Sequence, residues 1–288
     1  MIDFSLSAFK SFEYIHKRGL IEANGEEIFF DLASITKPLT NGLIFLKYPE
    51  IFKEHPKLKL LLNHCGGLPA GGRLNKGSWR EDLFSYNVQL AHDLYSDYSA
   101  LRLMLEVERI LGKSYRELCS DLLQLERNGL VFWKELPLHV KCAATGERAG
   151  KEICGVVNDD NAFVLGEFCS HAGLFATCSS LCKVLLWLHE QYHLFSVLEQ
   201  ERLSSGRFVA GWDRVQDPKS SLAGVGATVK TFGHLGFTGT SCWFDLEKRF
   251  GFVLLTNATK RFCHDRSGLN QIRREIGRYL WEQGEKIL

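Results

Sequence analysis

The sequence predicts an α+β fold: an antiparallel sheet flanked by helices, with a helical lobe inserted between the two chain ends that build the sheet. Three observations predict it. Aromatic and β-branched runs around a hairpin signal lie near the start, amphipathic runs fill the middle, and strand-like segments with short connections precede a last helix. The sheet lobe is expected at about 1–50 and 215–288 and the helical lobe at about 51–214, within a single domain spanning 1–288.

In chain order, Phe12-Glu13-Tyr14-Ile15-His16 and Glu27-Ile28-Phe29-Phe30 read as extended segments on either side of Asn24-Gly25, a hairpin turn pair. A helix is expected from Ser34 to about Lys47, ended by Pro49, and a short buried one over Lys57–His64, stopped by Gly66-Gly67-Leu68-Pro69. The glycine-rich loop 66–72 lacks the Gly-Lys-Ser/Thr ending of a phosphate cradle and reads as a turn. Residues 79–87 read as loop or short helix.

Ala100–Leu111 is a helix with Gly112 as its stop, and Ser114-Tyr115-Arg116-Glu117 is a capping box for another that ends near Asn128-Gly129. Asn158-Asp159-Asp160-Asn161 offers oxygen ligands, but it lacks the spacing and closing glutamate of a calcium loop and reads as a solvated turn or helix cap. Cys178–His193 is helical, with Ser180 as its cap. Strands are expected at Gly226–Phe232, Thr240–Asp245 and Phe250–Asn257, the last two joined at Leu246–Arg249, which favours antiparallel pairing. The closing helix, about Gly268–Gln283, carries Leu269, Ile272, Ile276 and Leu280 on one face and its arginines on a solvated one.

Composition narrows the function. The 288 residues are 45% hydrophobic and 24% charged with a formal net charge of +1, so no global electrostatic attraction points to nucleic acid or a membrane surface. The expected partner is a small molecule or short peptide. No stretch approaches the roughly 20 apolar residues of a membrane helix. The first ten residues lack a basic segment followed by an apolar core, and the odd count of nine cysteines contains no Cys-x-x-Cys pair. Free thiols in a reducing, cytoplasmic setting are the reading; a periplasmic one would require a leader absent from this sequence.

Ser-x-x-Lys occurs three times, at Ser7–Lys10, Ser34–Lys37 and Ser180–Lys183, so the pattern alone is cheap. At Ser34 it follows a strand-like run and precedes Pro38. On a helix, i,i+3 spacing sets the lysine amine beside the hydroxyl. A serine hydroxyl needs a base, and burial can lower a lysine pKa enough to supply one. Serine is also a favoured helix cap, so this stretch read alone leaves nucleophile and helix start both open.

Further blocks follow in order. Phe30-Asp31-Leu32-Ala33-Ser34-Ile35-Thr36-Lys37, Leu61-Leu62-Asn63-His64-Cys65-Gly66-Gly67-Leu68-Pro69, Tyr95-Ser96-Asp97, His171-Ala172-Gly173-Leu174-Phe175-Ala176-Thr177, Gly233-His234-Leu235-Gly236-Phe237-Thr238-Gly239-Thr240 and Leu254-Leu255-Thr256-Asn257 together resemble the serine β-lactamase and penicillin-binding-protein superfamily. The flavour is that of class C β-lactamases, D-alanyl-D-alanine peptidases and related esterases. The resemblance implies a β-lactamase/transpeptidase-like fold and a serine hydrolase acting through an acyl-enzyme, without metal or cofactor. It implies Ser34 as nucleophile, Lys37 as the residue that takes or shares its proton, and Tyr95 as the shuttle to the leaving group. The backbone N–H groups of Ser34 and Phe237 would form the oxyanion hole. Asp97, His234 and Gly236 would contact substrate, with His234 donating a hydrogen bond where many relatives carry lysine, and Asp97 could also orient Lys37 or cap the next helix. Gly236 would keep the strand edge bare for substrate. His64 and His171 are taken as structural.

One register stays open, since a Ser-Asp-Asn pattern would make Ser96 the shuttle; the pairing of Tyr-Ser-Asp with His-x-Gly favours Tyr95. The sequence departs from the family in a short segment before Ser34 and a short span between Lys37 and the Leu61 block. That trimming motivates a second reading, a non-catalytic or slowly acylating ligand-binding or sensor protein on the same scaffold.

Overall fold

A computed structural model of the chain describes residues 3–10, 21–22, 28–123 and 129–287. The expected hairpin at Asn24-Gly25, the strand Phe12–His16 and the helix end at Asn128 lie outside these residues. The chain opens with strands β1 (Phe4–Lys10), β2 (Ile21–Glu22) and β3 (Phe30–Asp31). The stretch expected as one helix from Ser34 changes pitch twice: a 3-10 turn over Ala33–Ile35, a wide π turn over Pro38–Gly42, then α1 (Leu43–Lys47). Short helices α2 (Pro49–Glu54), α3 (Lys57–Leu62) and α4 (Trp79–Ser85) follow.

The long helix α5 (Asp97–Leu111) starts three residues before the expected Ala100, because Ser96 is its cap: the Ser96 hydroxyl accepts the Ser99 N–H at 2.9 Å. Gly112 ends it at φ 63°, a left-handed conformation that costs a glycine little. The capping box at Ser114 and Glu117 forms, but it opens only a four-residue helix, α6 (Tyr115–Leu118). Next come β4 (Leu130–Phe132), the hairpin β5 (Gly146–Arg148) and β6 (Lys151–Ile153), α7 (Asp160–Leu165) and β7 (Leu174–Ala176). Asp159 caps α7 by accepting the Ala162 N–H at 2.8 Å, the helix-cap reading of that polar cluster. Helix α8 (Cys178–Tyr192) is capped by Thr177, one turn ahead of the expected Ser180: the Thr177 hydroxyl takes the Ser180 N–H at 3.2 Å.

Helix α9 (Leu194–Glu201) leads to β8 (Phe208–Val209), β9 (Trp212–Arg214), β10 (Thr231–Leu235), β11 (Ser241–Asp245) and β12 (Phe250–Thr256), then α10 (Thr259–Phe262) and α11 (Ser267–Ile287). The first expected strand of this region is displaced: residues 226–230 form turns around an isolated bridge at Ala227, and the strand instead reaches through His234 to Leu235.

Seven strands form one antiparallel sheet in the order β2-β1-β12-β11-β10-β9-β8, so both chain ends build it, giving the expected α+β fold. All of β12 is buried, because the sheet is covered on both faces. Val253 and Leu255 join the large core that includes Leu181, Val184 and Leu185 of α8, while the alternate residues Phe250 and Phe252 pack on Leu280 and Trp281 of α11. A second small sheet, β3-β7-β4, holds Phe30 and Asp31 against Ala176 and Phe175. Ser7–Lys10 lies in β1, so that Ser-x-x-Lys copy belongs to the sheet. All nine cysteines are free thiols, five of them buried. No helix among the described residues is long and apolar enough to cross a membrane.

Candidate active site

Three chain segments meet beside the end of β10: the turn after β3, the start of α5, and the turn 236–240. The first is held from several sides. Leu32 N donates to Leu174 O at 2.9 Å, the Thr240 hydroxyl donates to Leu32 O at 3.1 Å and the Thr238 hydroxyl to Asp31 O at 2.6 Å. Ala33 sits at φ 47°, a conformation that costs a residue with a Cβ on the order of 1–3 kcal/mol and persists only where its surroundings impose it. Here the imposing group is Asp31, whose Oδ1 accepts the Ala33 N–H at 2.8 Å. Ser34 follows at the second position of the 3-10 turn, where a backbone N–H lacks an acceptor within its own helix.

Lys37 lies one turn on and 2% exposed, with its amine on the Ser34 face, as the spacing requires. Its Nζ donates to Ser34 Oγ at 2.9 Å and to His171 O at 3.1 Å, and pairs with Asp97 Oδ1 at 2.7 Å. Three acceptors saturate the three donors of an ammonium. Burial works against that charge, but the Asp97 carboxylate and the facing Tyr95 more than offset it, and the Lys37 pKa is raised. The neutral amine expected from burial alone is therefore not the resting state.

Tyr95 packs among His64, Phe208 and His234, with ring centroids at 4.8, 5.8 and 5.7 Å, and Lys37 Nζ lies 5.0 Å from its ring centre. Its buried hydroxyl makes no well-formed hydrogen bond among the described residues. Burial pushes the Tyr95 pKa up, with Lys37 pulling the other way. The Ser96 hydroxyl is engaged elsewhere: it donates to Pro69 O at 2.5 Å and caps α5, and the residue is fully buried. His64 holds the Ser96 N–H on its Nδ1 at 3.2 Å, which requires an unprotonated nitrogen; burial, then Lys37, keep its pKa well below the ordinary value.

His234 corrects an expectation. Its Nδ1 lies 2.8 Å from Leu235 O, and a carbonyl can only accept, so Nδ1 carries the proton. Burial, then Lys37, lower its pKa to about 3. The ring is neutral, and Nε2, buried and unpartnered among the described residues, is an acceptor where a donor was expected.

Gly236 has a steric reason within the fold. A Cβ there would meet the Thr240 hydroxyl and come within 2.5 Å of the Leu32 carbonyl, so the glycine lets this turn close on the segment before Ser34. The turn is braced by Arg273 of α11, which donates to Thr240 O at 2.7 Å and Gly236 O at 3.3 Å. Arg273 is only 4% exposed, contrary to the solvated face expected for the arginines of this helix. Phe237 follows, 43% exposed, with His264 at its edge and Arg266 4.2 Å over its ring. Its backbone N–H has no partner among the described residues.

Ser34 and Phe237 line one open cleft of about 1140 Å³, whose other walls include Gly72, Arg148, Asn158, Phe163 and Lys260. Lys37, Tyr95 and His234 stand behind it. Asp31, His171 and Arg273 were missed as site residues by sequence reading. Asp31 and His171 lay inside the quoted blocks, but only the fold shows what they hold.

The chain resembles solved structures of one fold. A β-lactamase from Mycobacterium bovis is 15% identical, covers 99% of this chain and 95% of its own, and superposes with a TM-score of 0.63. A class C β-lactamase from Rhodobacter sphaeroides is 14% identical over 95% and 93%, at 0.61. EstCE1, described as a hydrolase with promiscuous acyltransferase activity, is 14% identical over 96% and 93%, at 0.62. No protein of curated function matches. The family profile named Beta-lactamase matches residues 46–272, most of the length, and the chain belongs to the β-lactamase family.

Proposed function

We propose that this protein is a serine hydrolase that forms and hydrolyses an acyl-enzyme on a small ester, amide or β-lactam. One observation carries the reading: Lys37 Nζ holds Ser34 Oγ at 2.9 Å, at the edge of a cleft that Ser34 and Phe237 both line. Ser34 Oγ attacks the substrate carbonyl, and the carbonyl oxygen takes the negative charge onto the Ser34 and Phe237 N–H groups. One such donor, fixed in advance, is typically worth about 3 kcal/mol.

Lys37 enters as an ammonium, so its part is to orient Oγ and stabilise the developing alkoxide. Tyr95 receives the serine proton as a phenolate, after its hydroxyl has released its own proton to solvent; because burial raises its pKa, that form gains population toward alkaline pH. The Lys37 charge favours its phenolate, and its hydroxyl is free to return the proton to the leaving group. Water then attacks the acyl carbonyl with the same residues in reverse order. Asp97 sets the charge on Lys37, and His234 Nε2 accepts a hydrogen bond from a substrate N–H or O–H. Membership of the β-lactamase family and the hydrolase among the structural neighbours support the reading.

Intact-mass measurement after exposure to a β-lactam and to a fluorophosphonate tests it. Labelling at Ser34 with recovery after the β-lactam, and its loss in Ser34→Ala, is expected. A stable β-lactam adduct would point instead to a sensor, and no adduct with either reagent would overturn the acyl-enzyme proposal.

A further inference from the structure

Behind the nucleophile, hydrogen bonds and short stretches of backbone close into a ring. Asp31 takes the Ala33 N–H on Oδ1 at 2.8 Å and the Asn158 N–H on Oδ2 at 2.7 Å. The next residue, Asp159, takes His171 Nε2 on its Oδ1 at 2.9 Å. The His171 carbonyl takes Lys37 Nζ at 3.1 Å, and Lys37 returns to Ser34 Oγ at 2.9 Å. Asp31 and His171 are each 1% exposed. A buried carboxylate is expensive, so a fold keeps one where its hydrogen bonds do something an apolar side chain cannot.

Without Asp31, the Ala33 N–H would lose the acceptor that accompanies its φ of 47°. That backbone angle aims both the Ser34 side chain and the Ser34 N–H. At the far side of the ring, the Asp159–His171 bond sets where the His171 backbone lies, and so where its carbonyl meets Lys37. Resting on the acyl-enzyme reading above, we propose that Asp31 and the Asp159–His171 pair are positioning residues for the reaction: Asp31 fixes the turn that presents Ser34, and Asp159 with His171 fixes the third acceptor of Lys37.

The ring predicts an effect on turnover more than on substrate binding. Asp31→Asn keeps one acceptor for Ala33 but turns an N–H₂ against the Asn158 N–H. For an activated ester, with rates expressed per Ser34 titrated by fluorophosphonate, kcat should fall at least 30-fold and KM change less than threefold. His171→Gln should lower kcat about tenfold. A pH profile adds a readout that a merely structural role would not move. Asp31 faces Asp159 and Arg148 as its charged neighbours, with His171 behind Asp159, and burial raises its pKa to about 6. Wild-type activity should therefore fall on the acid side near pH 6, and that limb should vanish in Asp31→Asn.

Hydrogen exchange reads the same inference without turnover: the Ala33 and Asn158 amides should exchange at least tenfold faster in Asp31→Asn, with the melting temperature within a few degrees of wild type. Unchanged kcat per titrated site together with unchanged exchange at Ala33 would overturn the positioning role. If the wild type neither turns over ester nor labels at Ser34, the hydrolase reading fails by itself, and the exchange measurement still decides whether Asp31 fixes the turn.

Discussion

Asp97→Asn tests how the site handles its proton. The carboxylate lies 2.7 Å from Lys37 Nζ, a separation at which two unit charges attract by ~1.5 kcal/mol in water and by ~6 kcal/mol at the effective dielectric of a protein site. The Asp97 side chain is 32% exposed, which places the true value toward the lower part of that range. At about 1.36 kcal/mol per pKa unit, removing the charge releases Lys37 by about one to four units. An asparagine oxygen still accepts the Lys37 hydrogen bond, so the geometry survives. Burial, the largest influence on this amine, then acts without the carboxylate that offsets it. The same carboxylate also raises the Tyr95 pKa, so its loss eases ionisation there too.

Both changes bring a proton acceptor into play at lower pH. In the wild type Tyr95 is held above the ordinary tyrosine value, so kcat/KM for an activated ester should still be climbing through the alkaline range. In Asp97→Asn that rising limb should move toward acid by at least one pH unit, and activity at pH 7 should increase by at least tenfold. The assay is kcat/KM against pH, corrected for the fraction of Ser34 that a fluorophosphonate titrates. A limb that stays in place, or moves toward alkali, would refute the idea that Asp97 keeps Lys37 protonated and restrains Tyr95.

Other outcomes follow from the same geometry. Tyr95→Phe should lower kcat by ~10²–10⁴-fold, the usual worth of a positioned acid–base group, with little change in melting temperature. Ser96→Ala should do the reverse, lowering stability by about 1 kcal/mol through the lost α5 cap while folded enzyme still turns over. Gly236→Ala should abolish fluorophosphonate labelling of Ser34, because the added carbon lies 2.5 Å from the Leu32 carbonyl in the segment that presents the serine. For Asp31 the folded pKa of about 6 lies above the ordinary 3.8, so this group adds stability below about pH 4 that is lost as pH rises through 6. Denaturation midpoints for wild type minus Asp31→Asn should thus rise on acidification between pH 7 and 4, the window in which activity falls; a flat difference would show that Asp31 is not buried as a carboxylate.

Much of the fold was written in periodicity and punctuation. Gly112 stops α5 and the near-continuous apolar run of Phe250–Thr256 marks a strand buried on both faces. Boundaries slipped where a side chain had two uses. Ser96 belongs both to the Tyr-Ser-Asp block and to the cap of α5, which is why the helix begins earlier than its apolar pattern. The expected single helix from Ser34 breaks into 3-10, π and α turns, and at its start Ala33 takes a positive φ against Asp31, a contact that a helix propensity cannot register.

The candidate site shows the same division more sharply. Its residue types were legible because they recur as short blocks in a fixed order, and each block sits on one local element. Their protonation states were not, since those depend on what distant segments bring to the same point. Lys37 meets one acceptor three residues away, a second on α5 and a third on the stretch before β7. Two of these are neutral oxygens that fix the geometry; the Asp97 carboxylate, with the facing Tyr95, holds the amine as an ammonium against burial. His234 shows the converse, since the carbonyl of its own neighbour Leu235 fixes the Nδ1 proton and leaves Nε2 to accept. A serine followed by a lysine therefore specifies where a nucleophile would stand, while the identity of its base rests on Asp97, a residue whose sixty-residue separation from Lys37 only the fold closes to 2.7 Å.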